Sequence, residues 1–396
     1  MTDVANDGVA YLTGRARFVD ANTVSVSPTY PDATGGSKEV RHFTADRILI
    51  AVGGKPTKPD LEGANLGFDS DGFFLLKDLP KKVVVVGAGY IAVELAGIMH
   101  TLGQSLLPSY CTLADDAHET GAETHLLIRK DKILKAFDPL VVDTLQKHMV
   151  HTGIHLHTNT NVTKVTTTVA NPDLTVPFPK TVHIDSGDAI EADVVLWAIG
   201  REALTKDLGI DKVGVKLQKN GDVIVDEFQK TNVDNIFAIG DVGGVELLTP
   251  VAIAAGRRLS NRLYGGVEGD KLDYNLVPTV VFSHPTIGTV GLVRRHSIPP
   301  HCLANDNAQQ TEAAAIAKYG ESDIKVYKST FTALYYSMME PDHKEPTAYK
   351  LIVQGKNEKV VGLHLIGQGS DEMMQGFAVA IKMGGESSHV SRSILM

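Results

Sequence analysis

The chain has 396 residues, 43% hydrophobic and 21% charged, with a formal net charge of -9. That composition excludes a disordered chain and argues against a polyanion such as a nucleic acid as main partner. The longest apolar run, Val83–Met99, is cut by glycines and by Glu94 and is too short to span a membrane. The first residues have neither a basic nor an apolar leader region. Cys111 and Cys302 are the only cysteines, so no disulfide framework is expected. Nor do they have metal-ligand spacing, and no metal site is expected. A cytoplasmic location follows, with the mitochondrial matrix as a second compartment.

In chain order, short alternating runs from Val9 to Val26 predict strands, and ADRILIAVGG predicts a buried strand closing on Gly53 and Gly54. Lys82 to Val86 is an all-apolar strand of the kind covered on both faces of a parallel sheet, and a helix follows from Tyr90 to Leu102. Next come a strand at Thr124–Ile128 and a helix at Asp138–His151. Strands are then expected near Ile154–His157, Val162–Thr168 and Val182–Ile184, before a buried strand that ends at Gly200. TNVDNIFAIGDV closes a strand on Gly240 and Asp241, and an amphipathic helix starts near Thr249. From Tyr274 the text turns strand-rich and ends in the helix SDEMMQGFAVAIKMG. Residues 104–121 and 293–310 fit no element, and each holds one of the two cysteines.

The segment Gly87-Ala-Gly89-Tyr90-Ile91-Ala92 leaves a strand and opens a helix, the setting that a dinucleotide-binding turn requires. Gly87 makes the tight turn, Gly89 lets backbone approach a pyrophosphate, and Ala92 still permits close helix–strand packing. The second strand ends at Arg129 with no acid at its tip, and Lys135 follows. A guanidinium suits the 2′-phosphate of NADPH, where an acid would suit the ribose of NAD. Asp241 could accept from a ribitol hydroxyl of a flavin; taken alone, it could equally cap the next helix. Arg257, on residues alone, reads as a helix-face charge.

Seven blocks together, among them VVVVGAGYIAVELAGIM, VDEFQKTNVDNIFAIGDV and VPTVVFSHPTIGTVGL, resemble glutathione reductase, in that family's order, from about Val9 to Gly384. The thioredoxin, trypanothione and mercuric reductases are weaker resemblances, and Arg129 argues against the NAD-dependent dihydrolipoamide dehydrogenases. The resemblance implies an α/β protein with Rossmann-like FAD- and NAD(P)-binding domains followed by an α+β dimerisation domain. It divides the chain into a partial FAD domain (1–80), an NADPH domain (81–200), the remaining FAD/central part (201–273), a dimerisation domain (274–384) and a tail unlike the family (385–396). It implies that NADPH reduces FAD, then a redox disulfide, then glutathione disulfide, in a homodimer that maintains redox homeostasis. By the same likeness, Tyr90 gates the nicotinamide, Ile91, Glu94 and Gly200 line its pocket, and Arg129 and Lys135 bind the 2′-phosphate. Gly53, Asp241 and Thr249 then contact FAD, and Arg257 lies near a glutathione carboxylate.

The family's own opening βαβ unit, its redox cysteine pair and its C-terminal acid/base histidine have no counterpart, and His389 lacks that histidine's surroundings. Removing 293–310 would join Leu292 to Thr311 in a continuous family-like text. Translated introns at 104–121, at 293–310 and in the tail, with a misplaced start codon, would account for this pattern. Two readings follow: an incomplete rendering of a reductase, inactive as written, or a genuine non-catalytic chain that binds NADPH and dimerises.

Overall fold

The structure, a computed structural model, describes residues 8–28, 39–102, 121–291 and 312–387. Residues 104–120 and 293–310, with Cys111 and Cys302, lie outside the described residues, as does His389. The chain forms two compact units. Within the described residues, one joins the chain up to Lys55 with Arg201–Asp273, and the other joins Pro56–Gly200 with the chain from Tyr274 onward.

In the first unit, Arg15–Asp20, Thr23–Ser27 and Arg41–Thr44 form an antiparallel sheet. The first strand starts at Arg15 rather than at Val9. Val9 and Tyr11 are more than half exposed, so their alternation buries no face. Ile48–Ile50 pairs in parallel with Ile236–Ala238, although the two are far apart in sequence. The core here gathers Phe18, Ile50, Ile236, Ala238 and Val242. The helix Thr249–Tyr264 completes the unit.

The second unit is built on a five-stranded parallel sheet. Its elements in chain order are β1 (Phe68–Asp69), β2 (Lys82–Val86), α1 (Tyr90–Thr101), β3 (Glu123–Leu127), α2 (Pro139–His151) and β4 (His155–His157). An antiparallel meander follows, β5 (Val162–Thr166), β6 (Lys180–Ile184) and β7 (Ala189–Ala192), and then β8 (Val194–Trp197). The sheet order is β1-β8-β2-β3-β4. Successive side chains of a strand face opposite ways. Val83, Val85, Leu126, Val194 and Leu196 therefore pack under α1 and α2. Val84, Val86, Leu127, Val195 and Trp197 pack against Val165, Val182 and Ala192 of the meander. This two-sided burial is why Lys82–Val86 carries no alternation.

The same unit holds a second five-stranded sheet, of β9 (Thr279–Val281), β10 (Ile287–Gly291), β11 (Ile324–Phe331), β12 (Thr347–Gln354) and β13 (Lys359–Ile366). Its order is β9-β10-β13-β12-β11, antiparallel throughout. Helix α3 (Glu312–Tyr319) lies beside it, and α4 (Ser370–Lys382) buries Met374, Ala378 and Ile381, one apolar stripe at helical spacing. The two sheets are joined by a buried ion pair. Asp138 caps α2 by accepting the Leu140 N–H at 2.9 Å, and Lys350 of β12 donates to the same carboxylate at 2.8 and 3.1 Å.

Candidate functional site

The predicted nucleotide corner forms at the carboxyl ends of β2, β3 and β8. Such an edge is where parallel α/β sheets hold ligands. The Gly87 N–H donates to the Leu127 carbonyl at 3.0 Å, which fixes the turn against β3. Gly87 has φ +147°, and a Cβ there would stand 2.2 Å from the Ala198 carbonyl oxygen, so only glycine fits. Gly89 is the N-cap of α1 and makes no side-chain cap bond. A Cβ at Gly89 would meet nothing within 4 Å, which leaves its flank open. Ala92, fully buried, would lie 3.2 Å from a Cβ on Gly87, the close helix–strand approach expected of the third motif position.

Gly200 stands just beyond β8, with φ +139° and open space on its Cβ side, and its carbonyl accepts the Thr57 N–H at 2.9 Å. Tyr90 opens α1 and is 39% exposed, while Ile91 is half-buried. Glu94 is half-buried too, and its Oε1 accepts the Phe282 N–H at 2.9 Å. Burial raises the Glu94 carboxyl above its ordinary value, and the Phe282 bond opposes this only in part.

The loop after β3 folds back over the glycine turn. Leu134, in the left-handed region at φ 46°, donates its N–H to the Ala88 carbonyl at 2.7 Å. This brings the main chain beside Lys135 to the turn, a closure that no spacing in the sequence announces. Arg129 and Lys135 are exposed and, among the described residues, form no ion pair. Lys132, between them, is engaged with Asp143 at 2.7 Å. Arg129, Lys130 and Lys135 thus remain without an ion pair among the described residues, near a glycine turn and an uncapped helix N-terminus, an arrangement that fits a phosphorylated dinucleotide.

The remaining predicted residues belong to the first unit. Gly53, at φ +67° with an open Cβ side, accepts the Leu204 N–H at 3.1 Å. The Ile239 N–H donates to Ile50 at 3.1 Å, and the chain then turns at Gly240 into a single helical turn carrying half-buried Asp241. The N-cap of the Thr249–Tyr264 helix is Leu248, with no side-chain cap bond, so Asp241 does not cap that helix. Asp241 and the uncapped start at Thr249 fit polar groups of a flavin. Arg257 is exposed and, among the described residues, unpaired. Its neighbours Arg258 and Arg262 are both tied to Asp270, at 2.8 and 2.6 Å.

Residues 2–256 match the pyridine nucleotide-disulphide oxidoreductase family, and residues 310–396 match the dimerisation domain of that family. The chain belongs to this family, whose members work with a pyridine nucleotide and a flavin. Its place within the family is with the glutathione reductases. The glutathione reductase of Schizosaccharomyces pombe is 46% identical over 387 residues, covering 98% of this chain and 73% of that protein. The glutathione reductase of Yarrowia lipolytica is 41% identical over 388 residues, covering 96% of this chain and 72% of that protein. Among the described residues, no helix is long and apolar enough to cross a membrane.

Proposed function

We propose that the chain is the subunit of an NADPH- and FAD-dependent glutathione-disulfide reductase that serves cell redox homeostasis. The observation that carries the nucleotide preference is the exposed pair Arg129 and Lys135, without an ion pair among the described residues, on a loop tied to the glycine turn by Leu134. In this reading Gly87 and Gly89 admit the pyrophosphate, Arg129 grips the 2′-phosphate, and Lys135 adds a point charge. Tyr90 covers the nicotinamide position until the nucleotide displaces it, and Ile91, Ala92, Glu94 and Gly200 shape the pocket. Gly53, Asp241 and Thr249 hold the flavin, which when bound supplies two-electron transfer between nicotinamide and disulfide. One hydride from NADPH and one proton convert glutathione disulfide to two thiols, and Arg257 receives a carboxylate of that substrate.

We assign residues 1–55 and 201–273 to flavin binding, 56–200, which include strand β1 of the parallel sheet, to NADPH binding, and 274–384 to a homodimer interface. Exposed Phe282, Leu334, Tyr335 and Met338 in that last segment support the interface, because an isolated chain gains nothing by leaving them in water. A cytoplasmic chain, with a mitochondrial form beside it, suits a sequence holding only two cysteines. A second reading, a non-catalytic chain that binds nucleotide and dimerises, is favoured by one fact. Cys111 and Cys302 are far apart in sequence and form no redox pair of the C-x4-C kind.

Calorimetric titration of the full chain with NADPH and NADH tests the nucleotide assignment. NADPH should bind at least tenfold more tightly, roughly the worth of one charge-assisted phosphate contact, and Arg129→Met should abolish the difference. Equal affinities in the wild type would refute it. A parallel assay of NADPH-dependent glutathione disulfide reduction should show no turnover, because this sequence holds no C-x4-C cysteine pair; measurable turnover would exclude the non-catalytic reading.

A further inference from the structure

The free edge of the nucleotide sheet presents a polar face built from two strands. Glu123 and His125 lie on one side of β3, and His155 and His157 lie on the same side of β4. They share that side because side chains alternate along a strand and parallel neighbours keep register. His125 is the direct partner of His155, and Leu127 that of His157. The His125 Nε2 stands 3.0 Å from Glu123 Oε1, and its Nδ1 stands 2.9 Å from His157 Nε2. The His155 ring stacks on the His125 ring, centroids 4.7 Å apart and planes 24° apart. One ligand atom from each of Glu123, His125 and His155 can be chosen so that all lie within 4.8 Å of one another.

We propose that this face is a binding site for one divalent transition-metal ion of the zinc class, held by Glu123 Oε1, His125 Nε2 and a ring nitrogen of His155. Tetrahedral ligands about 2.0–2.1 Å from zinc sit roughly 3.4 Å from one another. The Glu123–His125 separation of 3.0 Å already approaches that spacing, and exposed His155 has room to swing its nitrogen inward. The donor set, two imidazoles and a carboxylate with a fourth position open to water, is one that zinc accepts.

The surroundings carry the assignment further than three convergent side chains would. A ligating imidazole needs its other nitrogen engaged, so that tautomer and ring orientation are fixed. Here the His125 Nδ1–H would donate to His157 Nε2 at 2.9 Å, leaving Nε2 as the ligating atom. A ligating carboxylate likewise needs its second oxygen held, and Lys82 Nζ contacts Glu123 Oε2 at 2.9 Å, leaving Oε1 for the ion. Each inner ligand on β3 thus has an outer partner on a neighbouring strand. When the ion enters, it takes the place of the His125–Glu123 hydrogen bond: the single proton of neutral His125 moves from Nε2 to Nδ1, and His157 takes the Nδ1–H tautomer so that its Nε2 accepts.

Equilibrium dialysis of Zn2+ against the full chain tests the proposal, with Cys111 and Cys302 replaced by serine so that thiols cannot compete. One equivalent should bind. His155→Ala and Glu123→Gln should each weaken it at least tenfold, since even outer-sphere losses cost roughly ten- to a hundredfold. His151→Ala, on α2, should leave binding unchanged. If no zinc binds, or if His155→Ala keeps it at unaltered affinity, the proposal is wrong and the four residues only pin the sheet edge. Should His155→Ala misfold, Cu2+ electron paramagnetic resonance on the intact histidines decides. Two coupled nitrogens are expected, and one or none overturns the assignment.

Discussion

Asp138 and Lys350 allow a quantitative test of how the two sheets of the larger unit are joined. The Asp138 side chain is fully buried and that of Lys350 is 4% exposed, so both charges have left water. Lys350→Met strands the carboxylate with its cap bond from Leu140 alone, and removing one member of a buried pair costs about 3–5 kcal/mol. Asp138→Ala leaves Lys350 only Glu312, at 2.9 Å, and also loses the helix cap, worth about 1 kcal/mol, so its cost falls in the same range. The double variant Asp138→Ser/Lys350→Met keeps a capping oxygen and removes both charges. It should therefore be less destabilised than either single variant, with a coupling of about 2–4 kcal/mol. Urea unfolding followed by Trp197 fluorescence reads this directly, because Trp197 is the only tryptophan and lies buried in the same unit. Additive costs, within about 0.5 kcal/mol, would show that the pair is not a coupled unit and would refute the reasoning.

Gly87→Ala should destabilise by about 3 kcal/mol or more, because its methyl meets the Ala198 carbonyl in a left-handed backbone. Gly89→Ala should keep stability within about 1 kcal/mol yet weaken NADPH, since its methyl would enter open space where the proposed pyrophosphate lies; urea midpoints and calorimetry separate the two. Burial lowers the Lys180 ammonium to about 8 from 10.5, so the fold favours its neutral form. Stability should then rise between about pH 8 and pH 10.5, with the penalty fully present below that window, and Lys180→Met should remove the rise in urea midpoints. Glu94 titrates above its ordinary value, so its contribution is fully present below that value and is lost as pH rises through the shifted one. Glu94→Gln retains an oxygen for the Phe282 N–H and should therefore stabilise at neutral pH, but not at pH 3; a gain equal at both would contradict the burial account.

The nucleotide turn is legible because its determinants are contiguous: four valines, a glycine where no Cβ fits, and an uninterrupted helix. Element ends are read nearly as well. Asp138, read as the first residue of a helix, is its cap, and the helix proper begins at Pro139. Contacts between distant residues are not legible. Nothing in DKILK announces that Leu134 will adopt a positive φ and reach Ala88, and nothing in TAYKLIVQ marks Lys350 as the partner of Asp138. The histidines of HLH did carry a signal, since residues two apart on a strand share a face. Their meeting with ETHLL needed the parallel register of β3 and β4, a pairing between strands separated by a whole helix.

The bond from Leu134 to Ala88 joins main chain to main chain. The loop is therefore held in place without reference to the side chains at positions 129 and 135, which stand outside the core. On the proposed assignment of Arg129, coenzyme choice and folding are separable traits: a change at codon 129 would alter the nucleotide preference while the scaffold stays as it is, which would leave the choice open to drift in evolution and accessible to engineering.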